Sequence, residues 1–316
     1  MIRYYLKTFG RFVSAMRWRM KYGICKKSLG EKNPDKTVYI IRRNNPRVGL
    51  FSYVSTVLGH IHYARKKGYV PVVDMMNYPN SYLAPEKVGK ENSWEYYFKQ
   101  PAGISLQDAY QSKNVVFAGN DPWERPTSEP VMFRQNSFIR KQWRCYVQNN
   151  IHLSDTVIAR TEEARKRLFP EGARILGIKC RGTDFLALHP KGHPVQPEIQ
   201  DVIAKAWEVI REYKIDKVFI ATEDRSIEEV FEKEFGDMLI ISEQTRREYD
   251  GIHFISQMRG TRENDQYLDG LEYLTTILLL SKCNCFISGR NGGAMGVELF
   301  ADGFEYAYIW DLGTYK

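Results

Sequence analysis

Arg174-Ile-Leu-Gly-Ile-Lys-Cys-Arg-Gly-Thr-Asp184 decides the reading of the fold, because a short apolar run breaks off there into cations, a glycine and a carboxylate. Its length and its Ile and Leu content make 174–179 a strand, and the polar residues after it mark the carboxyl end. Toward the C-terminus the alternation repeats. A helix is expected over 197–213, a strand over 217–221, a helix over 226–235 and a strand over 238–241. A helix over 264–281, a strand over 285–287, a glycine-rich turn, a helix over 294–300 and a strand near 306–309 follow. Ser226-Ile-Glu-Glu229 has the capping-box order of a helix start. Strand and helix in alternation imply a parallel doubly wound sheet, whose ligands sit at the carboxyl ends of strands.

Toward the N-terminus, Phe169-Pro-Glu-Gly172 is a turn that places a boundary near residue 170, after helical, charged segments over 137–149 and 154–168. Farther upstream, a strand over 38–41, a turn-rich loop over 44–49, a helix over 51–67 closed by Gly68 and a strand over 70–73 ending at Asp74 make a βαβ unit. Residues 75–130, rich in Tyr, Pro, Asn and Gly around Trp94, Tyr96, Tyr97 and Phe98, read as long aromatic loops. Aromatic faces on loops suit sugars or apolar ligands, and ordinary core filling is the other reading. A length of 316 residues points to two α/β lobes with a ligand cleft between them: 37–170, then 171–316.

The net charge of +8 does not make a nucleic-acid binder of this chain. Arg3, Lys7, Arg11, Arg17, Arg19, Lys21, Lys26 and Lys27 fall in residues 1–30 with no acid, which leaves 38 bases against 38 acids in the remainder. The body therefore lacks a basic excess for a phosphate backbone, and no zinc-finger, RNP or homeodomain pattern is present. Within 1–30, Ile2, Leu6, Phe9, Phe12, Val13, Met16 and Met20 recur at helical spacing amid the bases, which makes a basic amphipathic helix. Such a helix either packs on the body or lies on an anionic leaflet. The charges interrupt any signal-peptide core, no apolar run is long enough to span a bilayer, and the five cysteines show no zinc spacing. The expected location is the cytoplasm, peripheral on the inner leaflet if the helix binds lipid.

Three segments at strand ends carry candidate chemistry. Arg181 follows the first strand, where its planar guanidinium could grip a phosphate or pair locally with Asp184. Beyond it, His189 and His193 are candidate bases, or else parts of a loop pinned by Pro190 and Pro194. Thr222, Glu223 and Asp224 end the next strand, where carboxylates accept from a base or ribose but also cap helices. The third segment, Phe286-Ile-Ser-Gly-Arg-Asn-Gly-Gly-Ala-Met-Gly296, brings Ser288, Arg290, Asn291, Gly292 and Gly293 to a strand end and helix start. There backbone amides can meet phosphate oxygens. It is neither a P-loop nor GxGxxG. Glu298, farther along that helix, could orient a cleft residue, though an exposed helix charge is the commoner explanation.

Arg181-Gly-Thr-Asp184, Ala221-Thr-Glu-Asp224 and Phe286-Ile-Ser-Gly-Arg-Asn-Gly-Gly293, in that order, resemble the fucosyltransferase superfamily of core α-1,6-, bacterial α-1,2- and protein O-fucosyltransferases. Gly49 with its following helix and Asn92-Ser-Trp-Glu-Tyr-Tyr-Phe98 look like the acceptor-lobe parts, so the resemblance spans about residues 38–300. It implies a GT-B fold of two Rossmann-like lobes and an inverting, metal-independent transfer of fucose from GDP-fucose, with the C-terminal lobe holding the donor. The motif arginine of the family grips the β-phosphate, a role that falls here on Arg181. Thr222, Glu223 and Asp224 then lie beside GDP, while Ser288, Arg290, Asn291, Gly292 and Gly293 approach the diphosphate. Where core-type enzymes carry a glutamate beyond the motif arginine this chain has His189, so His189 and Asp184 stand as candidate bases. No DxD triplet is present, in keeping with a site that takes no metal. The expected partners are a nucleotide sugar and a glycan or lipid-linked acceptor for a surface polysaccharide. A transferase using another donor sugar and a silent sugar-nucleotide-binding partner are the alternatives.

Overall fold

The structure is a computed structural model that describes residues 13–14, 16–17, 23–43, 48–119, 137–181, 183–247, 251–252 and 260–316, with backbone alone for 137–139 and 183–184. Most of the expected N-terminal amphipathic helix lies outside the described residues. The chain forms two compact units. The first takes Met1–Val48 and Tyr53–Pro130, and the second takes Gly49–Ser52 and Val131–Lys316.

The first unit holds a four-stranded sheet in the order β1-β4-β2-β3. Its strands are β1 (Cys25–Lys27), β2 (Lys32–Arg42), β3 (Val70–Asp74) and β4 (Ser112–Phe117). β2 runs parallel to β3 and to β4, and helix α1 (Leu50–Lys66) makes the β2–β3 crossover of the expected βαβ unit. Apolar residues run unbroken through Val38, Tyr39, Ile40 and Ile41 because both faces are covered. On one face Val38 and Ile40 meet Leu106 and Ala109 of α2 (Leu106–Ala109). Tyr39 points the other way, to His60 and Tyr63 of α1.

One feature here differs from expectation, and another decides between two readings. Cys25–Lys27 is a strand paired antiparallel with β4, not the end of a helix. It covers the backbone edge of β4 and leaves a strand of only three residues at that edge of the sheet. The aromatic segment is largely core: Trp94, Tyr97 and Phe98 are buried, with the Trp94 and Phe98 rings 4.5 Å apart. Asn92 ties that segment to the end of β3 through the Met75 amide and the Val73 carbonyl.

The second unit carries five parallel strands in the order β7-β6-β5-β8-β9. They are β5 (Ile175–Lys179), β6 (Lys217–Ala221), β7 (Leu239–Ile241), β8 (Cys285–Gly289) and β9 (Tyr306–Trp310). Its helices are α3 (Ser137–Asn150), α4 (Asp155–Leu168), α5 (Thr183–Leu188), α6 (Ile199–Tyr213), α7 (Arg225–Phe235), α8 (Asp265–Leu280) and α9 (Gly292–Phe300). α6 and α7 cover one face with Val202, Ala206, Val209, Ile227 and Phe231 against Leu176, Ile178, Val218 and Ile220. Gly177 faces α8, and a Cβ there would come within 2.9 Å of Leu280. Helices thus cover both faces of a parallel sheet, the doubly wound arrangement that the alternation requires. Residues 131–170, which the sequence assigns to the acceptor-side lobe, cluster with this second unit. There Arg144 of α3 donates to the Glu298 carboxylate on α9.

Candidate functional site

In chain order within the second unit the strands lie 3-2-1-4-5, and the order reverses between β5 and β8. Sheets of this kind open a crevice outside the strand ends at such a reversal. Arg181 lies just after β5, and Asn291 just after β8. The two ends are fastened together, since the Ser288 hydroxyl donates to the Lys179 carbonyl at 2.9 Å.

α9 begins at this point because Asn291 caps it: its side-chain oxygen accepts from the Ala294 amide at 2.9 Å, and its amide nitrogen donates to the Gly289 carbonyl. Gly293 is held to a bare backbone by close neighbours. A Cβ there would meet the Tyr273 hydroxyl at 2.8 Å and Lys179 Cε at 3.1 Å. Gly292 is exposed, and a Cβ there would meet nothing closer than Phe51 at 3.8 Å. Arg290 pairs with Asp311 at 3.0 Å, while its carbonyl accepts from Gln196.

Across the switch point, Arg181 donates to Glu223 Oε2 at 2.7 Å and lies 4.5 Å from the Phe185 ring centroid. Glu223 Oε1 accepts from Lys179 Nζ at 3.2 Å. Burial pushes the Glu223 carboxyl up, but the charges of Lys179 and Arg181 outweigh it and hold the group at about 2. A carboxylate held so low keeps its charge at every working pH and takes no proton from an acceptor.

Not every candidate side chain is exposed at the strand ends. Asp224 is buried and caps α7, its Oδ1 accepting from the Ser226 amide and hydroxyl, so the helix starts one residue before the expected capping box. Thr222 is fully buried and accepts from the Asp224 amide. These two shape the strand end, and Glu223 is the acidic side chain that reaches Arg181. His189 is exposed, has a φ of 44°, and stacks on Tyr315 with ring centroids 4.9 Å apart. Its loop is strapped by the chain's last residues, since the Gly192 amide donates to Tyr315 and the Tyr315 amide donates to His193. The expected base Asp184 stands in α5, which the sequence reads as loop, and its side chain lies outside the described residues.

Glu298 is fully buried rather than exposed, and Arg144 and Arg140 on α3 meet its carboxylate at 2.6 and 3.6 Å. The sequence reading assigned no role to Lys179, Tyr273 or Phe51. A lysine ending an otherwise apolar, buried strand was the available signal for the first. Among the described residues, no group of three or more His, Cys, Asp or Glu could hold a metal ion, and no helix is long and apolar enough to cross a membrane. All five cysteines are free.

No protein-family model matches the sequence, and no curated protein matches it. Solved structures do. A mutant of Arabidopsis thaliana FUT1 in complex with GDP aligns with a TM-score of 0.50 at 9% identity, over 96% of this chain and 75% of that one. The fucosyltransferase NodZ from Bradyrhizobium aligns with a TM-score of 0.49 at 15% identity, over 84% of this chain and 93% of that one. POFUT1 in complex with GDP aligns with a TM-score of 0.47 at 10% identity, over 87% and 99%. Of these three, the Arabidopsis likeness bears on architecture, and at that identity it shows a shared fold and nothing finer.

Proposed function

We propose that this chain is a glycosyltransferase of GT-B type that transfers fucose from GDP-fucose, with inversion and without a metal, to a glycan or lipid-linked saccharide in surface polysaccharide synthesis. One observation carries the reading. The motif arginine and the glycine-opened start of α9 follow the neighbouring strands β5 and β8 at the switch point of a 3-2-1-4-5 parallel sheet, where a nucleotide diphosphate is most readily held. The shared fold with a fucosyltransferase solved with GDP supports guanine nucleotide as the ligand to test first.

In an inverting transfer the acceptor oxygen attacks the anomeric carbon on the face opposite the diphosphate, and negative charge gathers on the departing phosphate oxygens. A preset cation stabilises that charge more in the transition state than in the ground state, and Arg181 takes this role. The Gly292 and Gly293 amides, at the positive end of α9, add to it. His189 is the proposed base for the acceptor hydroxyl, with Asp184 the other candidate. The first unit supplies the acceptor side.

Thermal shift of the full chain with GDP, GDP-fucose, GDP-mannose, UDP-sugars and dTDP-sugars, with and without EDTA, tests the reading. The expected result is stabilisation by GDP and GDP-fucose that EDTA leaves unchanged. Stabilisation by another nucleotide alone rejects fucose. Arg181→Ala is expected to lower kcat/KM by at least about a hundredfold per folded molecule, beyond the drop in melting temperature that comes from releasing Glu223. Activity that tracks folded protein would instead make Arg181 structural.

A further inference from the structure

Lys179 is a charged side chain at the end of an otherwise apolar strand, and it is 2% exposed. Its ammonium group has two described neighbours. These are Glu223 Oε1 at 3.2 Å and the Tyr273 ring, whose centroid is 5.8 Å away. A methionine of similar shape would fill the same space without desolvating a charge, so packing does not account for a lysine here. Charge does. Glu223 stands between two cations, one oxygen on Lys179 and the other on Arg181, and exposure rises from Lys179 to Arg181 at 13%. Of the two cations Lys179 is the buried one and Arg181 the more accessible, with Glu223 itself at 17%.

We propose that Lys179 is a positioning residue for Arg181: it balances the charge of Glu223 so that this carboxylate orients the guanidinium without cancelling the positive charge of the diphosphate site. The inference rests on the reading of Arg181 as the phosphate-binding group. Lys179, Glu223 and Arg181 together carry one positive charge. Whatever else Arg181 touches, removing Lys179 lowers the charge at this strand end by one and leaves Glu223 to Arg181. Gly293 belongs to the same device, because a Cβ at that position would press on Lys179 Cε at 3.1 Å.

The test is calorimetric titration of the full chain with inorganic pyrophosphate and, separately, with GDP. It uses wild type, Lys179→Met, Glu223→Gln and the double variant. Lys179→Met is expected to weaken pyrophosphate binding about tenfold, and the loss should shrink as salt is raised. The double variant returns the three-residue charge to its original value and is expected to recover most of the loss. A side chain needed only for packing predicts no recovery, so a double variant as weak as Lys179→Met overturns the proposal, as does equal binding by Lys179→Met and wild type. If Lys179→Met does not fold, the comparison moves to Glu223→Gln, expected to bind pyrophosphate more tightly than the double variant, and equality there rejects the idea. Wild type that binds pyrophosphate but not GDP leaves the Lys179 assignment standing and removes the guanine-nucleotide reading. Wild type that binds neither removes both.

Discussion

Glu223 and His60 both contribute to the acid limb of stability, from different surroundings. Burial, followed by the charge of Arg43, pushes the imidazole of His60 down to about 4 from an ordinary 6.5, so it sits neutral against the Tyr39 hydroxyl at 3.0 Å. That makes it a packed histidine. For Glu223, burial opposes the charged form and its two cations prevail, taking the carboxyl from 4.5 to about 2. Both folded values lie below the unfolded ones. Each contribution is therefore complete above the unfolded pKa and is lost as pH falls, from 6.5 toward 4 for His60 and from 4.5 toward 2 for Glu223. Urea midpoints measured across this range should fall in two overlapping stages, and Glu223→Gln should flatten the lower one. An unchanged slope below about 4.5 would show that the two cations do not hold Glu223 in solution.

Among elements, α9 depends on one glycine more than on any side chain it presents. A Cβ on Gly296 would stand 2.5 Å from the Phe51 ring, which also packs edge-on to Tyr273 and Phe300 at 5.9 and 6.2 Å. This packing puts Gly49–Ser52, the start of α1, in the second unit. Gly296→Ala should therefore overpack the helix and destabilise the protein by about 1–3 kcal/mol, seen as a lower melting temperature. A stability equal to wild type would mean that the ring moves aside freely. The elements of the second unit were legible in the sequence because each strand is a short apolar run closed by polar residues. α5 was not, since its six residues, Thr183–Leu188, begin inside a Gly-Thr-Asp184 stretch that reads as loop. Nor were β1 and β4, whose pairing partners are far away in the chain: Cys25 pairs with Phe117.

At the scale of the molecule, the basic excess belongs to the N-terminal residues, and the structure narrows where an anchor could end. β1 begins at Cys25 and belongs to the first unit's sheet, so removal of residues 1–22 spares that sheet and still removes Arg3, Lys7, Arg11, Arg17, Arg19 and Lys21. The truncated chain should sediment less with anionic liposomes than the full chain, and equal binding would reject the leaflet role. The sequence by itself determined the α/β class, the order of nearly every element in the second unit and the strand ends at which Arg181, Glu223 and Asn291 stand. Local periodicity and turn residues encode those directly. Tertiary structure alone decided the rest, because burial and partnership are set by residues remote in the chain. The 3-2-1-4-5 order brings Arg181 beside Asn291, the two cations meet on Glu223, and Asp224 turns away to cap α7. Glu298 is drawn inside by Arg144, and of the two readings of Trp94, Tyr97 and Phe98 burial selects core filling.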